Sequence, residues 1–170
     1  MKSLIIILAI FALTGDIKAQ SDCACCNETH KQFDFWVGEW IVLDSLGNKV
    51  GENQISKIEE NCIVLEHWTG VKGGTGTSQN YYDKTDSTWN QLWIDNKGNI
   101  LKLKGGLESG KMVLKSDSGT SGVKGENTHT YYNQITWSQN EDGTVSQLWE
   151  RYDKNDKLVK TVFLGIYHRK

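Results

Sequence analysis

The chain has 170 residues, no proline, and 19 basic against 21 acidic side chains for a formal net charge of −2. With no basic block, that balance argues against nucleic acid or an anionic membrane surface as partner. The length fits one ordinary domain with enough residues for a core, and no composition break suggests a second.

Residues 1–19 read as a secretory signal peptide. Lys2 supplies the positive start, Leu4 to Leu13 a short apolar stretch, and Ile17-Lys18-Ala19 a small-residue cleavage site. The apolar stretch is too short to span a bilayer, so no stable membrane insertion is expected. A lipoprotein reading is weakened because Gln20-Ser21-Asp22 before Cys23 is polar. Without residues 1–19, which hold Lys2, Lys18 and Asp16, 17 basic and 20 acidic residues remain. The expected location is secreted or periplasmic.

Residues 20–32 form a cysteine-rich segment with Cys23, Cys25 and Cys26; the fourth cysteine is Cys62. In an oxidising compartment, disulfides are the default. A Cys23–Cys25 or Cys25–Cys26 bridge would be strained. The expected bond therefore joins one of the cluster to Cys62, with Cys26 the preferred partner, pinning the segment to a strand. The alternative is a soft metal held by the cysteines with His30, but the spacing is not that of a zinc site, and no metal is expected.

From residue 33 to 170 the chain reads as a single all-β domain. No helical period is sustained, and turn chemistry recurs at strand-like intervals. Turns are expected at Leu46-Gly47-Asn48, Glu59-Glu60-Asn61, Val71 to Gly76, Asp83 to Ser87 and Asn96 to Asn99. Others fall at Glu108-Ser109-Gly110, Asp117 to Asn127, Asn140 to Gly143 and Asp153 to Lys157. These nine turns separate ten strand-like runs. Such a meander avoids open edges by closing into an antiparallel up-and-down barrel, with a two-sheet sandwich as runner-up. The polar Ser118 to Asn127 segment is the longest loop and is expected to flank a barrel mouth.

Phe33-Asp34-Phe35-Trp36-Val37-Gly38-Glu39-Trp40 opens the domain, and Tyr167-His168-Arg169 ends it. This pairing resembles the calycin superfamily of lipocalins, fatty-acid-binding proteins and related barrels. The order Phe-Asp-Phe-Trp-x-Gly-x-Trp is also similar to a group of secreted lipocalin-like proteins of uncharacterised function. The resemblance implies structural roles for Trp36, Gly38, Trp40 and Arg169. A short 3₁₀ turn would plug one end of the barrel, Trp40 would pack across it, and Arg169 would cover Trp40. Loss of the arginine is expected to cost about 1–3 kcal/mol as a buried donor. Some related barrels hold haem. Strand parity, however, turns His168 outward if Arg169 turns in, so haem ligation by the last strand is not expected, and no cofactor is assigned.

Alternation along the strands groups Glu66 with Trp68, Gln91 with Trp93, Asn133 with Trp137, and Gln147 with Trp149 and Arg151. The opposite faces are not cleanly polar, so hydrophobicity alone leaves the inward side open. Two readings compete. In one, the tryptophans fill the barrel and their N–H groups bond to amides such as Gln91 and Gln147. In the other, these nine residues line a small-molecule cavity with an apolar wall and sparse polar anchors. The leading expectation is a monomeric binding protein for a small, partly apolar ligand. The alternatives are an enzyme with Glu66 as acid or base, and a solid barrel acting through its surface. Glu66 in an ion pair with Arg151 is equally compatible with the sequence. Gly70 to Ser78 is glycine-rich but lacks the ending and following helix of a phosphate loop. No nucleophile elbow or metalloprotease motif occurs, and no catalytic residue is assigned.

Overall fold

A computed structural model describes residues 23–117 and 131–170. The expected leader, the Ser118 to Asn127 segment and His129 lie outside the described residues.

Ten strands follow in order: β1 (Gly38–Leu43), β2 (Lys49–Ile58), β3 (Ile63–Gly70), β4 (Thr75–Asp83), β5 (Thr88–Asp95), β6 (Ile100–Glu108), β7 (Lys111–Lys115), β8 (Tyr131–Gln139), β9 (Val145–Asp153) and β10 (Leu158–Arg169). Each pairs antiparallel with the next, and β10 closes onto β1 with Trp40 opposite Arg169. The architecture is therefore a closed barrel rather than a sandwich, compatible with a calycin-like fold. Closure leaves no strand edge unpaired.

Local chemistry sets the hairpins. Asp44 to Asn48, Asp95 to Asn99, Asn140 to Thr144 and Asp153 to Lys157 share one five-residue turn closed by a pair of backbone hydrogen bonds. In three of them the first residue's Asp carboxylate also accepts backbone N–H bonds from within the turn, as Asp95 does from Lys97 at 2.9 Å and Asn99 at 2.8 Å. The fourth residue has positive φ, and is glycine in three of the four.

One end of the barrel is sealed. Asp34–Trp36 form the 3₁₀ turn expected before β1, and the Trp40 indole donates to the Trp36 carbonyl at 2.9 Å. Phe33, Trp36, Trp40, Trp89 and Trp137 are almost fully buried there. Phe33 stacks on Trp36 at 4.9 Å and meets Trp137 edge-on at 5.3 Å. Gly38 has φ +149°, and a Cβ there would sit 2.5 Å from an Arg169 guanidinium nitrogen. Arg169 stacks over Trp40 at 4.4 Å and donates to the Val37 carbonyl at 3.3 Å. It is solvent-exposed, however, so it is not the buried donor the sequence suggested. His168 and His67 are exposed on the outer surface.

The N-terminal segment lies against this sealed end. A short helix, α1 (Glu28–Lys31), is capped by Asn27 and buries His30, whose ring meets Tyr82 edge-on at 5.6 Å. Lys57 ties the segment to β2 by bonding to the His30 carbonyl at 3.2 Å and the Asp34 carboxylate at 2.6 Å. The disulfides differ from the expected Cys26–Cys62 bond: Cys25 pairs with Cys62, and Cys26 pairs with Cys23. Cys25 is buried while Cys26 is exposed, so the chain presents Cys25 to the strand. The two bonds use all four thiols, which removes them as metal ligands.

Candidate functional site

The antiparallel order places the turns after β1, β3, β5 and β9 at the end opposite the aromatic seal. Along each strand, inward residues therefore descend from that mouth to the sealed floor two positions at a time. On β5 the sequence Trp93, Gln91, Trp89 runs from mouth to floor. On β3 it is Trp68, Glu66, Val64, and on β9 it is Trp149, Gln147, Val145. The faces that the sequence left undecided are the inner ones: Glu66, Gln91 and Gln147 are buried, and Trp68, Trp93 and Trp149 are half-buried.

Between mouth and floor lies a cavity of about 280 Å³, so the lumen is only partly filled. Its upper wall is aromatic: Trp68, Trp93, Trp149 and Phe163, with Trp68 and Phe163 meeting edge-on at 6.1 Å. Its lower wall carries the polar groups Glu66, Gln91, Gln147 and Tyr167. Leu101, Ile135 and Val162 complete the lining. Val162 and Phe163, although adjacent in sequence, both reach the cavity. The β9–β10 register shifts between Thr161 and Phe163, and such a bulge breaks strict alternation.

Two glycines make room for the tryptophans. A Cβ on Gly51 would lie 2.5 Å from the Trp68 ring, and one on Gly76 would lie 2.3 Å from the Trp93 ring. Each indole thus occupies the space a side chain on the neighbouring strand would fill. A side chain at either glycine would displace the ring.

The lower wall is a connected hydrogen-bond network. Glu66 Oε1 accepts from Asn53 at 2.7 Å, and Oε2 accepts from the Ser78 hydroxyl at 2.6 Å. Asn80 donates to Ser78 at 2.9 Å and to the Val64 carbonyl at 3.0 Å, while Gln91 donates to Asn80 at 2.8 Å. The Tyr167 hydroxyl donates to Gln147 and accepts from Asn53 at 3.3 Å. Among the described residues no cation pairs with Glu66. Burial therefore raises its carboxyl above the ordinary range, although the Ser78 and Asn53 bonds pull the other way. Burial, and then the nearby Glu66 charge, push the Tyr167 phenol well above its usual value.

Of the nine residues the sequence assigned to a cavity, six line it: Glu66, Trp68, Gln91, Trp93, Gln147 and Trp149. The other three do not. Trp137 is sealed into the floor, 5.4 Å from Trp36. Asn133 is buried and acts as a bracket, accepting from the Trp149 indole at 2.9 Å and from Arg151 at 3.3 Å. Arg151 lies over the Tyr131 ring at 4.6 Å and makes no ion pair with Glu66. The indole N–H groups do not seek Gln91 or Gln147. Trp89 instead donates to Gln32 at 3.0 Å, and those of Trp36 and Trp137 have no partner among the described residues. Sequence reasoning missed Tyr167 and Phe163 as lining residues, although the parity that turned His168 outward already placed both inside. It also missed Asn53, Ser78 and Asn80, short amides and a hydroxyl that no motif marks.

Among the described residues no group of three or more His, Cys, Asp or Glu side chains could hold a metal, and no helix is long and apolar enough to cross a membrane. No family model matches the chain, and no curated protein is significantly similar to it in sequence. The site is therefore read on its own chemistry.

Proposed function

We propose that this is a binding protein of the calycin type, secreted or periplasmic, holding a small, partly apolar ligand in the barrel lumen. The observation that carries this reading is the aromatic-walled cavity of about 280 Å³ with its polar lower wall. The volume sits near the lower end of ligand pockets, about 300–1,000 Å³, and so suits a compact molecule. A lining of many aromatics and few polar groups is the usual composition of such sites. Two disulfides and the absence of a free thiol suit export into an oxidising compartment.

A second reading starts from Glu66. Burial raises its carboxyl above the ordinary range, which is the direction a general acid needs. Yet the other polar lining groups, Gln91, Gln147 and Tyr167, supply neither a nucleophile nor a second carboxylate, so binding without turnover fits better. Native mass spectrometry of protein isolated from its own compartment tests the proposal, with a retained small molecule as the expected result. Titration with small aromatic compounds should also quench tryptophan fluorescence saturably, because three indoles line the cavity. A correctly folded protein that carries nothing and responds to no probe would sink the reading.

A further inference from the structure

Among the described residues the cavity is lined by one carboxyl, Glu66, 4 % exposed, and by no lysine, arginine or histidine. The nearest inward guanidinium, Arg151, is drawn aside onto Tyr131 and Asn133. An anionic ligand such as a fatty acid would therefore bring a carboxylate beside Glu66 with no cation among the described lining residues to meet it. A metal ion is equally unsuited, since among the described residues only one carboxylate lines the cavity. Above Glu66 stand three indoles and a phenyl ring, whose electron-rich faces attract cations.

We propose that the lumen takes an organic ammonium ion, its charged head against the Glu66 carboxylate and its apolar part between Trp68, Trp93, Trp149 and Phe163. This inference rests on the binding reading above and names its ligand class. The anchor is already oriented: Asn53 and Ser78 each donate to a different Glu66 oxygen, so the carboxylate is fixed before the ligand arrives. Trp149 is likewise held by Asn133, and Trp68 and Trp93 pack against the bare Gly51 and Gly76. The charge balances simply. Burial shifts the Glu66 titration upward. Below that titration the ammonium displaces the carboxyl proton to solvent and leaves a neutral ion pair, and above it the ammonium meets a carboxylate already formed. The groups facing Glu66 are Asn53 on β2, Ser78 on β4, Gln91 on β5, and Tyr167 on β10. Only Tyr167 among them titrates, far above the working range.

The test compares benzyltrimethylammonium with its uncharged carbon isostere, neopentylbenzene, and with octanoate, by calorimetry and tryptophan quenching. The cation should bind about tenfold or more tighter than the isostere at pH 8, since only the cation is attracted by the Glu66 carboxylate and the aromatic faces. In the wild-type protein its affinity should rise with pH up to the free-state titration of Glu66 and then level, with proton release seen as buffer-dependent heat. Isostere affinity should stay flat or fall over the same span. Glu66→Gln should cut the cation preference severalfold, remove its pH dependence and leave the isostere bound. If that variant does not fold, the wild-type pH profile decides alone. Isostere or octanoate binding as tightly as the cation, or a pH-independent cation affinity, would overturn the ammonium assignment while leaving the binding reading intact. No binding of any of the three would overturn both.

Discussion

At the scale of single residues, space inside the barrel depends on side chains that are missing. Gly51 and Gly76 have no sequence motif, yet each lies under a tryptophan ring at a distance that no Cβ tolerates. Alanine at Gly51 must push Trp68 off the wall and into the lumen. We expect Gly51→Ala to lose about 1–3 kcal/mol of stability through overpacking, and to weaken binding of small aromatic probes. Gly76→Ala should do the same through Trp93. Denaturant melts and fluorescence titration check both, and unchanged probe affinity would show that the rings relax elsewhere. Arg169 is a milder case. Because it is exposed, its stacking on Trp40 is worth about 0.5–1 kcal/mol. Arg169→Ala should therefore melt slightly early, well short of the loss of a buried donor.

At the scale of elements, the hairpins and the N-terminal segment behave differently. The hairpins at Asp44, Asp95, Asn140 and Asp153 are local: turn and strand ends lie within five residues, and the recurring Asp/Asn-x-x-Gly/Asp pattern is visible in the chain. The N-terminal segment is held by distant partners, Cys62 and Lys57. The Cys25–Cys62 bond spans 37 residues, a loop for which chain-entropy arguments give about 3–4 kcal/mol. Replacing both cysteines with serine should lower stability by that order. Replacing Cys23 and Cys26, only three apart, should cost less because the loop released is short. Chemical denaturation of the two double variants orders them, and equal losses would contradict the assignment.

At the scale of the whole molecule, the barrel buries an acid, Glu66, and that burial favours its neutral form. The folded-state pKa of Glu66 is raised above its ordinary value. In the unfolded chain the proton leaves near pH 4.3. Above that pH the folded state binds more protons than the unfolded state, so stability falls as pH rises. The fall continues until Glu66 ionises in the folded protein and then stops. Glu66→Gln should remove this limb, making the variant's stability flatter above pH 4 than the wild type's, as urea melts across pH 4 to 9 would show. A wild-type curve rising over that span at the same position would mean that Glu66 is stabilised as its anion.

The chain by itself marked the ten strands and the turns between them that fall in the described residues, through alternation and turn residues that act over short distances. It favoured a barrel with a sandwich as runner-up, and the plugged end came from the resemblance carried by Gly38-x-Trp40 rather than from local chemistry. It grouped the right side chains on shared faces, because parity needs only adjacent residues. Only closure of the barrel decided which face looks inward, since Leu92 and Ile94 opposite Trp93 left hydrophobicity ambiguous. Closure also separated Trp137, sunk in the floor, from Trp149, which borders the cavity. The two are similar in sequence context but differ in height along the barrel, which is set by the stagger of ten paired strands. The cysteine pairing was decided in the same way. Cys25 and Cys26 are neighbours, and which one meets Cys62 depends on how the segment before α1 lies on the sealed end. The unpaired state of Glu66 was also a tertiary outcome, because Arg151, on a facing strand, turned instead to Tyr131 and Asn133.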